Sequence, residues 1–332
     1  MLRPYRSFVT RHLSLVTCHS SLDHMRILLI LAALAALLPS CRSVPSEPLP
    51  ETQIWLADFD IRTGELSNAS MIIDAPGYDN QPMFTADGKG LLFVSDRAGD
   101  GSTDVYRYDL ATQTTARLTS TPEQEFSPTP IPGSTDFSVV RVARPRDTGE
   151  VYTESQQLWR YSPDGEPRSP IIQQRRVGYH TWMDSAWVAL FLVGDDQKGI
   201  PHRLEIQGVE SGTVYPIANS IGRCIRRHPS GQLSYVDKSD TAANRLMMTI
   251  GPSIPPDTLV VMPPGTEDYC WLWDTSVLFL TSTGNVYRWI KGTELGLQPL
   301  TSLYLGGQGA RITANDASTK LAWVVIKPAA AR

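Results

Sequence analysis

Apolar and polar positions alternate in short bursts along this chain, not every three or four residues. Six segments carry the clearest bursts: Ile54-Trp55-Leu56-Ala57, Val105-Tyr106-Arg107-Tyr108, Leu158-Trp159-Arg160-Tyr161, Leu204-Glu205-Ile206, Leu246-Met247-Met248 and Val286-Tyr287-Arg288-Trp289. Their starts lie 51, 53, 46, 42 and 40 residues apart, a mean near 46. Each is followed by a turn and a further strand-like stretch. A second set of apolar runs falls between them: Leu91–Val94, Val188–Leu192, Leu278–Leu280 and Leu321–Ile326. Turn dipeptides separate the runs. Asp87-Gly88 and Asp164-Gly165 suit tight hairpins, because glycine accepts positive φ, and Pro132-Gly133 and Pro229-Ser230-Gly231 also read as turns. No segment after residue 50 holds a helical period over eleven residues.

Four short strands per repeat of about 45 residues predict an all-β fold, a six-bladed β-propeller over residues 53–328. The phase of the pattern predicts how the ring closes. The domain opens on an outer-strand segment at Ile54 and finishes with an inner-type pair near Ala310–Ile326. One blade is therefore expected to draw strands from both chain ends, which leaves no free sheet edge.

Ahead of the repeats stands the one long apolar run, Ile27 to Leu38, twelve residues. A membrane-spanning helix needs about 20. Met25-Arg26 before it and Leu38-Pro39-Ser40-Cys41 after it give residues 25–41 the form of a signal peptide. The Leu-x-Ser-Cys ending resembles a bacterial lipobox, which makes Cys41 the expected lipidation site. Residues 1–24 precede a complete signal and are read as a mis-assigned start or an unstructured extension. Residues 42–52 are a Pro-rich spacer of extended character. Arg42 is not the acidic residue that retains such lipoproteins in the inner membrane. A periplasm-facing protein of the outer membrane is the expected address, with secretion the alternative.

Composition narrows the partners. The chain has 332 residues, 41% hydrophobic and 19% charged, with net charge −4. After residue 41 it carries 26 basic and 33 acidic groups, net −7. That balance excludes a basic nucleic-acid footprint. Membrane attachment is expected through lipid on Cys41, not through charge. Cys224 and Cys270 fall at matching places in neighbouring repeats; a disulfide and two buried thiols both remain open.

The run Phe84-Thr85-Ala86-Asp87-Gly88-Lys89-Gly90-Leu91-Leu92-Phe93-Val94-Ser95-Asp96-Arg97 resembles the repeat of TolB-type propellers. Asp104-Val105-Tyr106-Arg107-Tyr108-Asp109-Leu110 and Arg117-Leu118-Thr119 complete that repeat. The whole exported part resembles uncharacterised bacterial TolB-like propeller proteins and lipoproteins. The resemblance implies the propeller and a habit of binding other envelope components, protein or polymer.

In a propeller, the connections from each outer strand to the next inner strand reach the mouth of the central channel. Here they are Asp79-Asn80-Gln81, Glu125-Phe126-Ser127, Tyr179-His180, Gly222-Arg223, Glu267-Asp268-Tyr269 and Gln308-Gly309. Asn80, Gln81, Glu125, Tyr179, His180, Arg223, Glu267 and Asp268 are the candidate ligand- or partner-binding residues. The same residue types also cap strands and satisfy buried backbone groups. The acids Glu125, Glu267 and Asp268 suit acid–base chemistry only if held about 5–9 Å apart across the channel. Arg223, Arg226 and Arg227 form a local basic patch that suits a carboxylate or phosphate, or simply pairs with nearby acids. Trp55, Tyr106, Trp159 and Trp289 read as inter-blade packing. His180, His202 and His228 give no zinc spacing, and His202 and His228 are expected to be solvated beside their turns. No calcium loop, nucleophile elbow or cofactor motif occurs.

Three functions follow in order. The first is a non-catalytic, envelope-anchored propeller that binds a protein or polymer partner at its channel mouth. The second is a carbohydrate-active hydrolase or lyase with its site in the funnel. The third is a structural subunit of an envelope assembly.

Overall fold

A computed structural model describes residues 49–143, 152–303 and 306–328. Its 24 strands form six four-stranded antiparallel sheets. The chain begins with β1 (Thr52–Asp60) and β2 (Glu65–Ile73). Blade 1 follows as β3 (Asp79–Phe84), β4 (Gly90–Ser95), β5 (Asp104–Asp109) and β6 (Thr115–Arg117). Blade 2 is β7 (Gln124–Pro130), β8 (Phe137–Val142), β9 (Gln157–Tyr161) and β10 (Pro167–Arg175). Blade 3 is β11 (Val177–Trp182), β12 (Trp187–Leu192), β13 (Arg203–Gly208) and β14 (Val214–Asn219). Blade 4 is β15 (Ile221–Arg227), β16 (Leu233–Asp237), β17 (Arg245–Thr249) and β18 (Asp257–Val261). Blade 5 is β19 (Thr266–Trp271), β20 (Val277–Thr281), β21 (Asn285–Trp289) and β22 (Leu297–Ser302). The closing blade joins β23 (Gln308–Ala314) and β24 (Lys320–Ile326) to β1 and β2.

The ring therefore closes with both chain ends in one blade, as the phase of the pattern predicts. The six alternating segments all lie on the third strand of a blade. Ile54 is thus one place further in than expected, and β2 is the outermost strand. The seam is a seven-residue antiparallel pairing from Thr52↔Ile326 to Asp58↔Lys320. Trp55 stacks on Trp323 across it, with centroids 6.2 Å apart. Lys320 pairs with Asp58 at 2.6 Å, and Lys327 pairs with Glu51 and Asp74 at 2.7 Å each.

The core is divided among the six interfaces between blades. Each holds its own apolar cluster, such as Phe137, Val139 and Tyr161 against Leu92 and Val105. The second strands pack between two neighbours, and β4 and β20 are buried at every residue. Strands covered on both faces read as continuous apolar runs, and that is how they appear in the sequence. Close approach also fixes a glycine: a Cβ on Gly165, at φ +86°, would lie 2.0 Å from the Leu118 carbonyl oxygen of the adjacent blade.

Cys224 and Cys270 are free, buried thiols. Tyr106 and Trp289 are buried in inter-blade clusters, and Trp55 and Trp159 pack against two others. His228 departs from the expected solvation. It is buried, lies edge-on to Trp271 at 4.4 Å, and its Nδ1 approaches the Ser230 hydroxyl. No helix among the described residues is long and apolar enough to cross a membrane. Residues 1–24, the signal segment 25–41 with Cys41, and the spacer up to residue 48 lie outside the described residues.

Trp323→Ala should cost about 3–5 kcal/mol, the usual loss for a buried Trp. Urea unfolding should show the shift as one cooperative transition, because the lost contact lies at the seam that joins the two ends of the described chain.

Candidate functional site

Each inner strand slips register with its second strand near the same place. The slips lie at Asn80/Met83, Phe126/Thr129, Val177/Tyr179, Ile221/Ile225, Thr266/Asp268 and Ala310/Ile312. Three residues at these slips take the left-handed conformation: Gln81 (φ 57°), Ser127 (φ 53°) and Arg311 (φ 51°). Bulges of this kind re-aim side chains, and here they do so at the propeller axis. One residue per blade stands at this level: Gln81, Ser127, Tyr179, Arg223, Asp268 and Arg311. The expected connections are therefore the first residues of the inner strands themselves, not loops.

The ring satisfies most of its own polar groups. Arg223 pairs with Asp268 on the next blade at 2.5 Å and approaches Glu267 at 3.6 Å, which also meets Lys238 at 3.5 Å. Arg311 approaches Asp268 from the other side at 3.4 Å. Its Nη2 then donates to the Tyr179 hydroxyl at 2.9 Å. Blade 3 and the closing blade are opposite one another in a ring of six, so this bond is a crossbar over the channel. Gln81 Oε1 accepts the Ser127 backbone N–H at 2.6 Å.

Charge states follow from these contacts. Burial alone would raise the Asp268 carboxyl, but Arg311 and Arg223 outweigh it and hold the group down to about 2. Burial likewise opposes the Arg311 cation, which Tyr179 and Asp268 more than offset. Asp268 is thus a fixed carboxylate, with no proton to exchange near neutral pH.

Three predicted residues stand elsewhere. Asn80 is buried, and its Oδ1 accepts the Gln81 backbone N–H at 2.7 Å. Glu125 lies between blades 1 and 2, where it accepts from Tyr161 at 3.0 Å and from Thr121. Its carboxyl is fully buried, and desolvation pushes it up to about 7. It cannot share work with Glu267 and Asp268 in the channel.

His180 is 5% exposed, and its Nε2 lies 2.7 Å from the Ser138 hydroxyl of blade 2. Burial pulls its pKa down to about 3, so the ring is neutral. Trp182 donates to the same hydroxyl at 2.9 Å. The same latch recurs between blades 4 and 5, where Tyr269 and Trp271 both meet Ser234 at 2.8 Å. His180 is therefore part of an inter-blade fastening.

The sequence reading missed Arg311 by placing the equivalent residues at Gln308-Gly309. A signal existed: Gly178-Tyr179, Gly222-Arg223 and Ala310-Arg311 each set a small residue before the ring residue. It also missed the paired Ser138 and Ser234 latches, because their partners lie 35–44 residues away.

Below the crossbar, the opening at the starts of the inner strands is about 270 Å³, lined by Tyr78, Phe126 and Tyr179 among others. The wider opening lies at the opposite end, where the inner strands run out into turns. There all six blades line a funnel of about 400 Å³. Trp182, Trp271, Pro130 and Pro132 give it apolar walls, Arg226 and Arg227 one positive side, and Asp316 a single acid. Neither Arg226 nor Arg227 has an ion-pair partner among the described residues. Four exposed apolar residues occupy turns at this same end of blades 4 and 5: Ile250, Ile254, Trp273 and Leu295, 50–66% exposed. No group of three or more metal-ligating side chains occurs among the described residues.

No protein-family model matches the chain, and no curated protein matches it. Many solved structures share its fold. A putative TolB from Agrobacterium tumefaciens aligns at TM-score 0.62 and 16% identity, over 84% of this chain and 99% of its own. TolB from Acinetobacter baumannii aligns at 0.52 and 12%, over 92% and 69%. An oligogalacturonate lyase from Vibrio parahaemolyticus aligns at 0.51 and 14%, over 79% and 73%. The chain thus has the six-bladed TolB-like propeller fold expected from its repeats. At these identities the likeness is one of fold.

Two outcomes test the site's electrostatics and latches. The folded state holds the Glu125 proton up to about 7, while the unfolded chain releases it near 4.5. Stability from this group is therefore lost as pH rises between those values. Glu125→Gln should remove that loss: its stability relative to wild type should grow by about 3 kcal/mol from pH 4.5 to pH 8, measured by urea unfolding. Ser138→Ala should strand both Trp182 Nε1 and His180 and cost about 2–4 kcal/mol in the same assay.

Proposed function

We infer that this chain is an exported propeller, held at the cell envelope through Cys41, that binds a protein or polymer partner with its funnel face. The observation that carries the reading is the funnel. It is open, built by all six blades and closed beneath by the Arg311–Tyr179 crossbar. Apolar walls, two unpaired guanidiniums and a rim bearing Trp273 match the make-up of recognition surfaces, which favour Trp and Arg anchors. The envelope address rests on the signal-like segment and on the fold shared with TolB.

The geometry supports catalysis less well. Asp268 is locked by two arginines, Glu125 is walled between blades, and His180 is neutral and fastened to Ser138. None of these groups is free to take and return a proton at the funnel. A purely structural subunit would use the outer strands instead and would have no need of an open, charged funnel.

Arg227→Glu with Trp273→Ala changes two exposed side chains of the funnel face, and Lys198→Ala, 71% exposed on the β12–β13 connection at the opposite end, serves as the control. Capture from solubilised envelope should fall at least tenfold for the double variant and stay unchanged for the control. Equal capture by all three proteins would move the interaction off the funnel. Turnover on a panel of glycans, lost in the double variant, would replace the reading with the carbohydrate-active one.

A further inference from the structure

Between the crossbar and the funnel the channel narrows to a cavity of about 40 Å³. Its walls include three guanidiniums, Arg223, Arg226 and Arg311, and no carboxylate. Asp268 lies behind Arg223 and Arg311, and Glu267 is shared between Arg223 and Lys238. Around the axis Arg223, Arg226 and Arg311 thus stand against the Asp268 carboxylate, with Glu267 shared at the side with the half-exposed Lys238. Uncompensated charge at a site with little water is costly, and arginines cannot shed it by deprotonation.

The polar atoms left over point the same way. Arg223 Nε and the Ser127 hydroxyl are buried without a partner, and both residues line this cavity. His180 Nδ1 is a third such atom. The Ser138 hydroxyl lies 2.7 Å from His180 Nε2 and 3.1 Å from the Thr129 carbonyl oxygen. Donation along the shorter contact leaves the ring proton on Nδ1. The cavity then gathers hydrogen-bond donors from three blades beside an excess of positive charge. Its chemistry is that of an anion host.

Size selects the guest. A water-sized particle takes about 10–15 Å³ by this measure. The cavity has room for a monatomic anion with a water or two, and not for a sugar or a peptide segment. We propose that the channel is a binding site for a small monovalent anion of the halide class, held by Arg223, Arg226 and Arg311 with the Ser127 hydroxyl. The anion would balance the axial charge and pin the inner strands of blades 2, 4 and the closing blade to one another.

Bromide is the probe, because it can be located by anomalous diffraction. Crystals of the full chain grown in bromide should show one anomalous peak inside the cavity. In solution, chloride should raise Tm by about 5 °C at a hundredfold excess over its Kd. Gluconate at equal ionic strength, too large to enter, should not. Arg226→Met removes a guanidinium that makes no ion pair, and should abolish the chloride-specific shift while leaving Tm in gluconate within about 2 °C. An empty cavity at saturating bromide would overturn the proposal. So would a bromide peak with no chloride-specific stabilisation, which would mark an adventitious ion only. A chloride shift that survives in Arg226→Met would place the site elsewhere and overturn it too. None of these readouts depends on the funnel's partner.

Discussion

Face-to-face packing of neighbouring blades is the constraint on which the rest of this structure depends. A four-stranded sheet alone cannot bury its two apolar faces, but six sheets arranged in a ring bury each face against the next. That arrangement buries the second strand of each blade on both sides, as β4 and β20 are at every residue. It also requires the ring to close, or one interface would be left wet. The seam between β1 and β24 meets that need with backbone hydrogen bonds, the Trp55–Trp323 stack and three lysine ion pairs.

Closing a ring creates an axis, and the axis sets a second problem. Six inner strands bring their side chains to one line, so like charges there would repel at close range. The solution is an alternation of sign around part of the ring, Arg223 to Asp268 to Arg311, with Tyr179 taking the last guanidinium hydrogen bond. Buried ion pairs of this sort stabilise little in net terms, since desolvation offsets much of the attraction. Their consequence here is geometric. The crossbar divides the channel, and the wider of its two described openings, the funnel, carries Arg226 and Arg227 without ion-pair partners among the described residues.

This division reassigns the polar residues at the axis. Groups that resemble a catalytic acid, base or ligand in isolation are consumed in holding blades together. His180 and Tyr269 perform equivalent fastening roles in two different interfaces, each on a serine that a tryptophan also reaches. Glu125 likewise belongs to the wall between blades 1 and 2. The exposed Arg227 and Trp273, by contrast, stand on the face of turns at the funnel end.

How much of this the sequence alone determined follows from the range of each interaction. Period-two alternation at Ile54, Val105, Leu158, Leu204, Leu246 and Val286, its spacing, and the Asp-Gly turns are local properties, so the blade count and the shared closing blade were legible. The likeness to TolB-type repeats rested on the same local features. The side-chain partners were not legible, because they come from different blades. Gln81 meets Ser127 across 46 residues, and Arg311 meets Tyr179 across 132. The one-residue bulges that aim these groups at the axis shift the register without marking the composition, which is why the sequence points to Gln308-Gly309 and not to Arg311. The chain wrote its own periodicity. Only the closed ring, by forcing distant charges onto one axis, decided which of them pair and which face the solvent.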